Sequence, residues 1–251
     1  MDDKNKAIVY FPNWAEDSFT QTLDKNIQVP DLPEGFNIMF AGNIGEAQDF
    51  ETILSAANNT KSKNINWILI GDGRKLNWVK SQVRSYNLHN VVTLGRYPIE
   101  TMPYFFNMAD VMLLTLKNSL ISDLTVPAKL QAYAASGKII LAAVNGETNT
   151  IIKSYNIGLA CESGDINSLS ENAIKLKNMS EKQRNLMEIN SKKLYNTNYK
   201  KSILLNNLLN LLSLLLHNLL KTYSQNVNTN RMNLNVDFAL KLSNYTSLKH
   251  F

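Results

Sequence analysis

The chain holds one cysteine, Cys161, and three histidines, His89, His217 and His250, in 251 residues. A single thiol cannot close an internal disulfide, so a reducing compartment is expected. With so few imidazoles, neither a His/Cys zinc constellation nor a Ser-His-Asp triad can be assembled. His89 lies in the turn-like stretch NLHN and reads as surface. Before residue 200 no apolar run is long enough to span a bilayer, and the opening MDDKNKAIVYF lacks the apolar core of a signal peptide. Basic runs are also missing. The formal charge is +5, but residues 201–251 carry five cations (Lys201, Lys221, Arg231, Lys241, Lys249) against Asp237 alone, leaving 21 cations and 20 anions in the body. A near-neutral body without clustered Lys and Arg argues against a nucleic-acid partner. No G-x-x-x-x-G-K-[ST] occurs, which excludes a P-loop.

What is present is a globular body. Apolar residues at 44% and charged residues at 19% suffice for a sizeable core and exclude wholesale disorder. All ten glycines fall between Gly35 and Gly164, and all six prolines between Pro12 and Pro127, so turn punctuation stops well before the chain does. From Gly35 on, strand-like runs at 37–41, 66–70, 91–94, 111–115, 139–143 and 159–161 alternate with helix-like segments at 47–59, 75–87, 99–108, 127–136, 148–155 and 166–178. The strands are continuously apolar, which predicts a parallel sheet covered on both faces. The fold class is α/β: a doubly wound, Rossmann-like sheet with a C-terminal helical tail.

The ends differ from the body. Ile8 to Phe11 reads as a strand that Pro12 and Asn13 break, so residues 1–34 are a strand and connector, and a chain opening in a connector is expected to lack something upstream. The Rossmann-like domain is 35–200, closing with a polar helix over 181–200. Over 201–221, Leu204, Leu208, Leu211, Leu215 and Leu219 fall four and three apart, so one helical face is leucine. Four Asn, one Ser and one His between Ile203 and Leu220 argue against a true membrane span. Such a helix packs on a partner, lies in a membrane interface, or is a degenerated end. Residues 222–251 lack periodicity and read as disordered.

In an open parallel sheet, ligands bind beyond the carboxyl ends of the strands. The loops there read Gly42-Asn43-Ile44-Gly45, Gly71-Asp72-Gly73-Arg74, Gly95-Arg96-Tyr97-Pro98, Ser122 to Lys129, and Asn145-Gly146-Glu147. Glycines at these rims let backbone N–H groups approach a phosphate, and helix N-termini add a favourable dipole. Pro127 suits the first helical position and Gly137 the end of the same helix. Lys129 then stands in the first turn, where a cation is unfavourable for the helix and calls for an anionic partner. The spacing is not G-x-G-x-x-G, and no acidic residue ends the second strand to hold an adenosine ribose, which disfavours an NAD enzyme.

As a set, FAGNIGEAQDFETILSAA, WILIGDG, VVTLGRYPIETMPYFFNMADVMLL, TVPAKLQAYAASGKIILAAVNGE and IGLACESGDINSLSENAIKL resemble the C-terminal, nucleotide-sugar-binding domain of GT-B-fold retaining glycosyltransferases of family 4. The likeness covers roughly residues 8–200. Its AGNIG, VPAKL, GK and NGE elements resemble enzymes that add amino-deoxy sugars of the N-acetyl-L-fucosamine type during O-antigen, lipopolysaccharide or capsule assembly. The family's two acidic residues eight apart fall on Asp123 and Gln131. The resemblance gives Asp123 the donor sugar, with the amides of Leu124, Thr125 and Val126 near sugar and diphosphate, and gives position 131 the ribose. There Gln131 offers one acceptor oxygen where a carboxylate offers two.

The family's diphosphate-gripping Arg and Lys fall on Asn43 and Gln48. Charge neutralisation then passes to Lys129 first, or to Arg96 or Arg74, with backbone N–H groups of the Gly42 and Leu124 to Val126 loops, and Gly45, Gly71 and Gly73 are further donor-binding candidates. Arg96 and Tyr97 occupy the loop that, by resemblance, meets the nucleobase. Asp123 and Lys129 are the catalytic candidates, the donor is a UDP-sugar, and no metal or organic cofactor is expected. The implied partners are a separately encoded N-terminal acceptor-binding half and a lipid-linked acceptor at the inner face of the cytoplasmic membrane. A non-catalytic nucleotide-sugar module or inactive remnant, and another Rossmann-like phosphate-ligand protein, are the alternatives.

Overall fold

A computed structural model describes residues 9–20 and 27–227. The chain divides into two compact units, Met1–Lys201 and Ser202–Phe251.

The first unit is built on six parallel strands: β1 (Phe36–Ala41), β2 (Ile65–Ile70), β3 (Val91–Gly95), β4 (Val111–Thr115), β5 (Ile139–Ala143) and β6 (Gly158–Cys161). Their order across the sheet is β3-β2-β1-β4-β5-β6, which is doubly wound, with the switch in winding direction between β1 and β4. Every residue of β1, β4 and β5 is buried, because helices cover both faces, and this is why the strands are continuously apolar. Alternation still assigns the faces. Ile38 and Phe40 join one core with α1 (Phe50–Asn59), α2 (Leu76–Ser85) and α7 (Ile166–Asn178). Met39 and Ala41 join the other, with α3 (Met102–Met108), α5 (Ala128–Ala135), α6 (Gly146–Ser154) and α8 (Glu181–Leu194).

The structure departs from the sequence expectations at several joints. Val9 to Phe11 pair with no strand, and Ile8 lies outside the described residues. The helix expected over 47–59 is a short 3-10 turn, Glu46–Gln48, and then α1, because Asp49 sits in the left-handed region at φ 48 and breaks the axis. Pro127 is the N-cap of α5, with ψ 142, not its first helical residue. Gly137, at φ 68, ends that helix as a C′ glycine should. A helix, α4 (Leu120–Leu124), runs into the start of the loop expected from Ser122 to Lys129, capped by the Ser119 side chain accepting from the Ser122 N–H. The polar helix of 181–200 is α8 followed by a π-turn at Tyr195–Tyr199, with Tyr195 and Tyr199 buried.

The second unit is described as far as Val227, as the helix α9 (Lys201–Val227). It runs beyond the expected limit at residue 221, and residues 228–251 lie outside the described residues. Leu212, Leu215, Leu216 and Leu219 are exposed. An 18-residue window within Glu181–Lys221 reaches a mean hydropathy of 1.6, apolar enough by length and composition to cross a bilayer.

Candidate functional site at the carboxyl rim

The rim is stitched from backbone. Gly42 N–H donates to the Ile70 carbonyl (2.9 Å), Ile44 N–H to the Asp72 carbonyl (2.8 Å), and Gly71 N–H to the Gly95 carbonyl (2.7 Å). The loops after β1, β2 and β3 therefore form one surface. Glycine is obligatory at the crossing: Gly71 has φ +140, and a Cβ there would lie 1.8 Å from the Gly42 carbonyl oxygen. A cleft of about 290 Å³ opens on this surface, lined by Gly42, Asn43, Ile70, Gly71, Asp72, Arg96, Tyr97 and Met102. That volume is at the small end for a ligand cleft. Tyr97 is set by an edge-on contact with Phe105, ring centres 4.8 Å apart.

Lys129 reaches the same place from the other side of the switch point. Tyr133 anchors its helix, α5, with the hydroxyl 3.4 Å from the carbonyl oxygens of Ala41 and Leu113. The Lys129 ammonium lies 3.7 Å from the centre of the Phe40 ring, and 3.2 Å from where a Gly42 Cβ would stand. Part of the side chain remains accessible, but burial of the ammonium pushes it down to about 7. Burial penalises the charged form, and no ion pair or hydrogen bond to Lys129 exists among the described residues to restore it.

The neighbouring lysines are committed elsewhere. Lys75 hydrogen-bonds Glu51 and pairs with Glu46 at 3.3 Å, and Lys117 lies 3.7 Å from both carboxylates. Burial would lower the Lys75 ammonium, but its bonds to Glu51 and Glu46 hold it above the ordinary value.

The other sequence candidates divide. Asn43 lies between Gly45 and Gly73, within 2.6 Å of the Cβ position of each. Gln48 is a loop brace: its Oε1 accepts from Gly45 N–H at 3.2 Å and its carbonyl from the Thr115 hydroxyl at 2.5 Å. Gln131 is fully buried, and with its amide oriented to donate, the nitrogen lies 2.7 Å from the Pro127 carbonyl and 3.2 Å from that of Ala128. It does not line the cleft. Arg74 is exposed and stands outside the lining. Asp123 belongs to α4, its backbone against Gly146, where a Cβ would meet the Asp123 carbonyl oxygen at 2.0 Å. Its Oδ1 is buried with no partner among the described residues. Leu124 and Thr125 are exposed and Val126 partly so. The Thr125 carbonyl accepts from the Thr148 hydroxyl at 3.2 Å, which ties this loop to α6.

Asp72, Met102 and Phe40 were not singled out from sequence. Asp72 lies in the glycine-rich loop after β2. Met102 and Phe40 are ordinary apolar residues locally, and only the folded arrangement brings them to the rim.

The family described as "Glycosyl transferases group 1" matches residues 24–193. The chain belongs to this family. Among curated proteins it is 28% identical over 166 residues to "Probable glycosyltransferase WbjE" of Pseudomonas aeruginosa, covering 64% of this chain and 41% of that one. It is 25% identical over 143 residues to "Putative colanic acid biosynthesis glycosyl transferase WcaI" of Escherichia coli K12, covering 54% and 35%. The chain thus spans less than half the length of these group 1 relatives.

Among solved structures, Anabaena Alr3699/HepE in complex with UDP-glucose superposes with a TM-score of 0.61 at 16% identity, over 72% of this chain and 49% of that one. The C-terminal domain of a glycosyl transferase group 1 protein (LpcC) of Francisella tularensis gives 0.55 at 20% identity, over 66% and 87%. A glycosyltransferase of Rickettsia africae gives 0.64 at 13% identity, over 83% and 57%. These establish the fold: a Rossmann-like sheet of GT-B type.

Proposed function

We propose that this chain is the donor-binding half of a retaining glycosyltransferase. It holds a nucleotide diphosphate sugar, UDP-linked, for transfer to a lipid-linked or polysaccharide acceptor in surface-glycan synthesis. The observation that carries this reading is the Lys129 ammonium, without an anionic partner among the described residues, beside Gly42 at the β1/β4 switch point. An unpaired cation next to close-approach backbone is a site for an anion such as a diphosphate. In this reading the base and ribose enter the cleft lined by Arg96, Tyr97 and Asp72, and the donor sugar lies toward Asp123. Similar solved structures in complex with UDP and UDP-glucose support the choice of nucleotide, and the group 1 family match and the glycosyltransferase relatives support sugar transfer.

Since the chain corresponds to less than half of those relatives, the acceptor site is assigned to a second domain of similar size, and the working location to the inner face of the cytoplasmic membrane. The amino-deoxy sugar preference is part of the same proposal and rests on the AGNIG and VPAKL elements. A second reading, a nucleotide-sugar module without turnover, draws on Gln131, which is turned inward where the family holds a ribose-binding acid.

Calorimetric titration with UDP, and separately with NAD, tests the donor site. UDP is expected to bind with a dissociation constant between micromolar and millimolar, about −4 to −8 kcal/mol, with loss in Lys129→Ala and no heat from NAD. No UDP binding would remove the enzyme assignment from this chain. Binding with no turnover after addition of an acceptor-binding half would favour the second reading.

A further inference from the structure

Of three lysines near the rim, Lys75 and Lys117 share the carboxylates of Glu46 and Glu51, and Lys129 pairs with no carboxylate among the described residues. We propose that above neutral pH Lys129 is mostly neutral in the empty site and becomes an ammonium when a diphosphate occupies the rim, so that donor binding there takes up a proton from solvent. This rests on the reading of the rim as a diphosphate-sugar site, and adds that the protonation state of one side chain gates it.

The geometry supplies the reason. The Lys129 nitrogen lies over the Phe40 ring, 3.7 Å from its centre. A ring face attracts a cation but accepts no strong N–H hydrogen bond, so the three donors of an ammonium stay unfilled on that side. Gly42 borders another side, where the lysine fills the space a Cβ would take.

Charged groups around it do not compensate. Strand β1 carries no ionisable residue, and α5 carries only Lys129 and Tyr133, whose hydroxyl faces Ala41 and Leu113. In the loop after β1, Glu46 is taken by Lys75 and Lys117. Asp123 of α4, Asp72 and Arg74 after β2, Arg96 after β3 and Glu147 after β5 are the remaining charged groups of the rim loops, and none pairs with Lys129 among the described residues. Desolvation alone places its titration near neutrality, at about 7. A diphosphate brings the missing elements, two negative charges and several acceptor oxygens, and so favours the charged form. The proton taken up comes from bulk buffer, and no bond to phosphorus changes.

UDP-glucose is the probe, because its diphosphate is esterified at both ends and does not titrate near neutrality. The full chain is titrated by calorimetry in two buffers of different ionisation enthalpy. Uptake of roughly three quarters of a proton per UDP-glucose is expected at pH 7.5, and about a tenth at pH 6.0. The dissociation constant is expected to be nearly flat below pH 6.5 and to weaken about tenfold per pH unit above pH 8. In Lys129→Arg, whose guanidinium stays charged throughout, both the uptake and the pH dependence should disappear from the binding the variant retains, whatever its strength.

Binding by the wild type without uptake, a flat dissociation constant from pH 6 to 9, or undiminished uptake in Lys129→Arg would overturn this proposal and leave the donor site standing. No binding of UDP-glucose at any pH would overturn both. The wild-type pH series decides the matter should Lys129→Arg fold poorly.

Discussion

Gly71 and Gly42 meet backbone to backbone: a Cβ on Gly71 would stand 1.8 Å from the Gly42 carbonyl oxygen. This contact locks the loop after β2 beneath the loop after β1 and shapes the floor of the cleft. Gly71→Ala should therefore destabilise the fold by on the order of 3 kcal/mol or more, combining a strained φ with a backbone clash. Gly95→Ala provides the comparison, since Gly95 also has positive φ (+82) but its Cβ would meet nothing within 4 Å. Only the conformational part, about 1–2 kcal/mol, is expected there. Equal losses in thermal or urea denaturation would remove the contact from the explanation.

The Lys129 environment also writes itself into stability. Its folded value, about 7, lies below the ordinary lysine value, so between these the unfolded chain binds more protons than the folded one, and stability rises with pH through that window. From pH 7 to 9 the gain is on the order of 2 kcal/mol as an upper figure, since part of the side chain is accessible. Lys129→Met should lose this slope. Parallel melting-temperature profiles for wild type and variant across that range would refute it.

Gln131 tests a role carried over from sequence. Its side chain is fully buried and its amide meets the first-turn carbonyls of its own helix. Gln131→Ala should cost about 1–3 kcal/mol of stability through lost packing and lost hydrogen bonds, with UDP affinity changed less than about twofold. A tenfold loss of affinity without loss of stability would restore the ribose role.

Asp123 is expected to show the opposite pattern. Its buried Oδ1 has no partner among the described residues, a cost the empty fold bears. Asp123→Ala should leave the melting temperature unchanged or raise stability by up to about 1 kcal/mol, while abolishing sugar transfer in the assembled enzyme. A loss above about 2 kcal/mol would make the carboxylate structural.

Much of the body was legible because its signals are local. The apolar runs at 111–115 and 139–143 are strands β4 and β5 with the same limits, and the helix read over 166–178 is α7. Errors gather where a local signal has two uses. Pro127 suits a first helical turn or an N-cap, and it takes the cap. Asp49 looks like any polar residue of a helical run, but its left-handed conformation splits that run. Helix α4 is five residues long, too short for periodicity to announce it.

By itself the sequence determined the class of the sheet, the order of its loops and the glycines along its rim, because hydrophobic period and turn chemistry act over a few residues. It also carried the resemblance to glycosyltransferases, which the family match bears out at the level of group 1. Which rim side chains are available for chemistry was decided by the tertiary structure alone. Strand order brings Lys129 to Phe40 and Gly42, gives Lys75 and Lys117 their carboxylates, and leaves Gln131 inside. Those partners lie far apart in the chain or on different elements, and no local pattern sets the balance between desolvation and pairing that separates one lysine from the next.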